Sequence, residues 1–195
     1  HIDDPRMDPI LEKLADLKLP INFHCGDPKW MYEPMDVHND LLFESYFFRL
    51  DNQKEMPDLN ELVAIFERAL RRHPRTTFIA CHFLNQTYDL DRLGIMLDKY
   101  PNLFIDISAR VCYVAAIPRF AKQFIEQYAD RIVYGTDYGF DISMYRNTFR
   151  ILETLDEHFY AWDISNTPWP LSGLGLSDET LKKLYRDNAL QILKK

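Results

Sequence analysis

Four short apolar runs rich in β-branched and aromatic residues recur along the chain, at 20–25, 76–82, 102–107 and 131–137, each followed by a stretch of helical spacing. This alternation restricts the fold more than any other feature. Proline closes the preceding element before three of the runs, at Lys18-Leu19-Pro20, Arg72-His73-Pro74 and Lys99-Tyr100-Pro101, because the residue before a proline is driven out of helical conformation. Helical spacing fills about 8–18, 59–72, 88–99, 117–129, 144–157 and 178–193, with Ser177 as N-cap of the last. Strands alternating with helices pair in parallel through right-handed crossovers, so the class is α/β.

Strand starts near 77, 103 and 132 lie 26 and 29 residues apart, close to the ~30 residues per unit of a (β/α)8 TIM barrel. Four strand signals are present, with 1–4 as the candidate end of another, so the expected fold is a partial barrel: about the last four βα units plus a C-terminal helix. The whole chain, 1–195, reads as one domain. Within it, 26–58 is an aromatic-rich insertion, either a lid or a helical segment packed outside, and 161–195 is a Pro/Gly/Trp-rich loop leading to the last helix. Residue 1 is His rather than Met, and with half a barrel unaccounted for, the expectation is part of a longer polypeptide. An open sheet leaves two unpaired edges and a bare inner face. The remaining N-terminal strands, a second copy in a homo-oligomer, or the chain's own loops are the candidates to cover them.

The residue content narrows the function classes. With 23 Lys+Arg against 30 Asp+Glu the net charge is −7, and no basic run is present, which argues against nucleic acid or an anionic membrane surface as partner. A small-molecule substrate fits better. No apolar run approaches the ~20 residues of a membrane span, and 1–9 lacks a signal-peptide core. Cys25, Cys81 and Cys112 are odd in number and widely spaced, as expected for a reducing, cytoplasmic setting without disulfides.

Three strands finish in side chains able to bind a divalent metal or move a proton: His24, His82 and Asp137. In a parallel sheet the C-terminal strand ends share one face, so these sequence-distant residues converge. Neutral imidazoles with a carboxylate suit a metal that activates water, zinc first, with Mn, Fe or Co as alternatives. Alternation along the strands turns Cys25 and Cys81 to the opposite, packing face. Arg110, after the third strand, is a candidate anchor for a substrate carboxylate or the partner of a loop acid. Asp106 is a candidate acceptor behind a histidine, and Trp30, opening the insertion, a candidate substrate contact. His38, His73 and His158, in a loop, before a proline and on a helix, read as surface or structural residues.

At Leu19–Asp27, Phe78–His82, Tyr100–Arg110, Arg131–Tyr138 and Leu181–Ala189, the chain resembles the amidohydrolase-related family, in the branch that includes aminocarboxymuconate-semialdehyde decarboxylase and related benzoate and resorcylate decarboxylases. The resemblance implies that His24 is the metal-binding histidine of the fifth barrel strand. It makes His82 the sixth-strand histidine that contacts substrate or the catalytic water, and Asp137 the eighth-strand aspartate that binds metal and handles the proton. The family also carries a His-x-His pair at the end of its first strand, and this sequence contains none. His24 and Asp137 alone fall short of the three protein ligands of a catalytic zinc site. Three functional expectations follow: a metal-dependent hydrolase first, a non-oxidative decarboxylase of a small aromatic or unsaturated acid second, and a non-catalytic binding or assembly module third.

Overall fold

The computed structural model describes residues 1–44 and 57–193, so the later part of the insertion lies outside the described residues. Four parallel strands, β1 (Ile21–Phe23), β2 (Phe78–Ala80), β3 (Leu103–Asp106) and β4 (Ile132–Val133), lie side by side in chain order. Phe23, Ala80, Ile105 and Ile132 are in register across the sheet. The expected α/β order is therefore present, with strands shorter than the apolar runs that announce them.

Helices α1 (Asp8–Leu17), α2 (Leu59–Arg72), α3 (Leu90–Lys99), a single turn α4 (Val111–Val114), α5 (Pro118–Gln127) and α6 (Ile142–Glu153) connect and flank the strands. Their starts are written locally. Asp58, Asp89 and Asp141 accept from backbone N–H groups of the first turns of α2, α3 and α6 at 2.8, 3.0 and 2.7 Å, which satisfies donors that a helix N-terminus otherwise leaves bare. Helix α6 ends at Glu153, four residues before the expected point. The Thr154 hydroxyl donates back to the Arg150 carbonyl at 2.8 Å and accepts from Asp156 N–H at 3.2 Å, which turns the chain away. His158 consequently sits beyond the helix in a left-handed conformation.

Alternation along the strands gives the sheet two unlike faces. Phe23, Phe78, Ala80, Leu103, Ile105 and Ile132 face the helices; Phe23 stacks on Phe66 of α2 at 5.2 Å, and Phe66 meets Phe78 edge-on at 5.7 Å. Fully burying each such ring contributes roughly 1.5–3 kcal/mol. The inner face carries Asn22, Ile79, Phe104, Asp106 and Val133.

The C-terminal segment closes alongside β4. Helix α7 (Asp178–Lys182), capped by Ser177 as expected, runs through a π-helical turn (Lys183–Asp187) into α8 (Asn188–Leu193). Tyr134 N–H donates to Leu184 O at 3.0 Å, and the Asn188 amide donates to the carbonyls of Ala129 and Ile132, both at 2.6 Å. Ile192 then covers Phe104 and Val133 on the inner face. Residues 1–4 are not a strand: Asp4 caps a 3-10 turn over Pro5–Met7, and Asp3 pairs with Arg68 at 2.8 Å. Among the described residues, no helix is long and apolar enough to cross a membrane.

Candidate active site

The C-terminal ends of the strands bring His24, His82 and Asp137 together. His82 Nε2 lies 3.1 Å from His24 Nδ1 and 3.9 Å from Asp137 Oδ2. The two rings meet edge-on with centroids 4.8 Å apart. His82 is buried, whereas His24 and Asp137 are exposed.

His24 reaches this place by alternation, two residues after inward-facing Asn22. His82 reaches it by a different device. The residues from His82 to Asn85 all have positive φ, between 52° and 64°, although none is glycine. A left-handed run costs roughly 1–2 kcal/mol per residue, and it persists because neighbouring groups fix it. Asp106 supplies much of that support. Its Oδ1 accepts from His82 N–H at 2.8 Å, from Ser108 N–H at 3.0 Å, and from the Ser108 hydroxyl. This is the acceptor role expected for Asp106, exercised on the histidine's backbone and, through Ser108, on its ring.

The same turn changes the reading of Cys81. Ile79 faces inward, so alternation continues inward to Cys81, and the turn then swings His82 round to the same mouth. The Cys81 thiol accordingly donates to the inward Asn22 side chain at 3.0 Å instead of packing against the helices. Burial, reinforced by Asp106, pushes this thiol up to about 12, so it is a poor nucleophile at neutral pH. Cys25 lies on the packing side as expected, near the Leu62 carbonyl. Position next to a ligand-type histidine in the sequence was the signal that could have flagged Cys81.

Hydrogen bonding fixes the proton on His82. Nδ1 lies 2.9 Å from the Ser108 carbonyl, which can only accept, so Nδ1 carries the hydrogen. Burial lowers the imidazole's pKa and favours the neutral ring. Nε2 then presents a lone pair, and His24 Nδ1–H is the donor that meets it. Among the described residues, no group of three or more His, Cys, Asp or Glu is placed to hold a metal ion. The donors among the described residues thus make an incomplete ligand set.

Beside this cluster is a cavity of about 410 Å³. The loops after β3 and β4 border both, tied together by Ala109 N–H to Thr136 O at 3.1 Å. Trp30, Tyr113, Tyr138 and Trp162 give it aromatic walls. Trp30 is buried and donates from its indole to the Tyr113 hydroxyl at 2.9 Å. Arg110 also lines it. Its Nε donates to Asn85 Oδ1 and its Nη1 to the Ala109 carbonyl, both at 2.9 Å, and the guanidinium lies 5.4 Å from the Tyr113 ring centre. Burial lowers the Arg110 pKa, although guanidinium remains charged. Among the described residues no carboxylate is hydrogen-bonded to it, while Asp27 and Asp137 act on it electrostatically. His73 is buried between Glu12 and Asp8 at 2.9 and 3.0 Å, a structural role, and His38 is exposed.

A profile of the amidohydrolase family matches residues 1–195. The chain belongs to the amidohydrolase family. No curated protein matches it in sequence. Among solved structures, an uncharacterised TIM-barrel protein of Bordetella bronchiseptica is 16% identical with a TM-score of 0.52, and this chain covers 52% of its length. A dihydroxybenzoic acid decarboxylase of Polaromonas sp. JS666, solved with manganese and the inhibitor 2-nitroresorcinol, is 15% identical with a TM-score of 0.54 and 55% covered. A 5-carboxyvanillate decarboxylase of Sphingomonas paucimobilis is 16% identical with a TM-score of 0.55 and 55% covered. In each comparison the whole of this amidohydrolase chain is matched. It therefore spans about half the length of the structures it resembles, and its sheet is part of a TIM barrel.

Proposed function

We propose that this amidohydrolase chain carries the substrate-anchoring and proton-handling part of a non-oxidative decarboxylase acting on a small aromatic acid. The observation that carries the reading is Arg110: a half-buried guanidinium, hydrogen-bonded to no carboxylate among the described residues, in an aromatic-walled cavity. A cation partly withdrawn from water gains when an anion joins it, and a planar fork matches a carboxylate. Trp30 and Tyr113 offer faces for a ring attached to that carboxylate.

Loss of CO2 from an aryl carboxylate breaks the ring-to-carboxyl bond and leaves its electron pair on the ring carbon, which then takes a proton. Asp137 is the exposed carboxyl at the mouth suited to deliver that proton, and His82, held by Ser108, sets its Nε2 3.9 Å from it. Similarity to decarboxylases of benzoic-acid type adds support. A divalent metal enters the proposal as a centre shared with residues beyond the described ones, to which this chain would bring His24 and Asp137. The N and O donors suit zinc as well as Mn, Fe or Co.

Hydrolysis is the second reading, favoured by the approach of Asp137 to His82 Nε2. The incomplete ligand set among the described residues favours the third, a non-catalytic module. A panel of dihydroxybenzoates and lactones separates them. CO2 release, lost in Arg110→Gln, is expected; ring opening without CO2 release overturns the proposal in favour of hydrolysis. Turnover of neither, with metal content and benzoate affinity unchanged in His24→Ala, Asp137→Ala and Arg110→Gln, leaves the module reading standing.

A further inference from the structure

Arg110 owes its direction to a side chain that no motif singles out. Asn85 is 1% exposed and ends the left-handed run at φ 52°. Its amide nitrogen donates to the carbonyls of Gly26 and Cys25 at 2.9 and 3.3 Å, just past β1. Those carbonyls can only accept, so the amide orientation is determined and Oδ1 is turned to Arg110 Nε. The loops after β1, β2 and β3 are thereby joined through one residue.

The kind of acceptor matters as much as its position. A carboxylate here would aim the guanidinium equally well and would also neutralise it. An amide aims it and adds no charge of its own, so the guanidinium feels Asp27 and Asp137 only at a distance, with neither hydrogen-bonded to it among the described residues. With Nε engaged by Asn85 and Nη1 by Ala109, Nη2 has no hydrogen-bond partner among the described residues. The strained backbone from His82 to Asn85 places His82 at one end and Asn85 at the other, so the proton-handling ring and the guanidinium are positioned by the same turn.

We propose that Asn85 is a positioning residue that sets the anion selectivity of this cavity, aiming Arg110 while keeping its charge available for a substrate carboxylate. The inference rests on reading Arg110 as the carboxylate anchor. Its test uses benzoate and benzamide, two probes of nearly equal shape and different charge, titrated calorimetrically into the full chain and its variants.

The unsubstituted chain binds benzoate in preference to benzamide. Asn85→Asp, which brings a carboxylate against Nε, lowers that preference at least tenfold while circular dichroism shows a folded chain. Asn85→Gly relieves the left-handed backbone and removes the aim. It weakens benzoate at least fivefold and benzamide less than twofold. Equal losses for both probes in either folded variant, or an unchanged preference in Asn85→Asp, overturn the role of Asn85 and leave the Arg110 reading intact. Absence of any preference for benzoate in the unsubstituted chain overturns the Arg110 reading itself.

Discussion

Asp106→Ala removes one carboxylate and strands three donors. In the folded chain Asp106 Oδ1 accepts from two backbone N–H groups, His82 at 2.8 Å and Ser108 at 3.0 Å, and from the Ser108 hydroxyl. All three residues are buried. Each buried donor left without a partner costs about 1–3 kcal/mol. The hydroxyl can rotate to another acceptor, so two N–H groups dominate, and removal of a buried charge returns some desolvation. The left-handed run beginning at His82 also loses its support. The expected loss is about 3 kcal/mol in urea unfolding. Asp106→Asn keeps an acceptor oxygen in place and loses the charge, so about 1–2 kcal/mol is expected. The order matters as much as the size. An Asp106→Ala chain within about 1 kcal/mol of the original, or an Asn variant weaker than the Ala variant, would refute the assignment of Asp106 as the strut of this turn.

Glu67 joins α2 to the end of α3 by accepting from Lys99 Nζ at 2.8 Å and the Tyr100 hydroxyl at 2.7 Å, which holds its carboxyl below the usual value of 4.5. That stabilisation is complete above the ordinary carboxyl range and lost as pH falls below it, so Glu67→Gln flattens the acid limb of a stability–pH curve, by under about 1 kcal/mol for a partly exposed pair. Gly173→Ala drives a Cβ into the Thr154 carbonyl, in a loop tied by Gly173 N–H to Asp156 O at 2.7 Å; a loss of about 2 kcal/mol is expected in the same urea assay, and a gain would mean the loop moves freely. Burial raises the thiols of Cys25 and Cys81 to about 12 and of Cys112 to about 11, so iodoacetamide at about pH 8 labels all three rapidly in urea and only slowly in the folded chain. Rapid labelling of Cys81 in the folded chain would show its surroundings to be more open than described.

The alternation of apolar runs with helical spacing determined the element order, because period and proline position are properties of neighbouring residues. Helix α2 falls at the expected 59–72, and Ser177 caps the last helix as anticipated. The convergence of His24, His82 and Asp137 was legible for the same reason: parallel strands put their C-terminal ends on one face whatever their sequence separation.

Tertiary structure decided the rest. Simple alternation sends Cys81 and His82 to opposite faces, and a left-handed turn of four non-glycine residues brings both to the mouth. No local propensity announces such a turn, since it is held by Asp106 from 24 residues away. Arg110 was visible in the sequence as a candidate cation, but whether an acid pairs with it depends on what surrounds it in space. Its neighbour turned out to be the amide of Asn85, which anchors on the loop after β1. The sequence by itself determined the parallel α/β frame and the residue types at its mouth; contacts between distant loops decided which atoms face one another, because strain, burial and hydrogen bonding there are set by partners that local spacing does not encode.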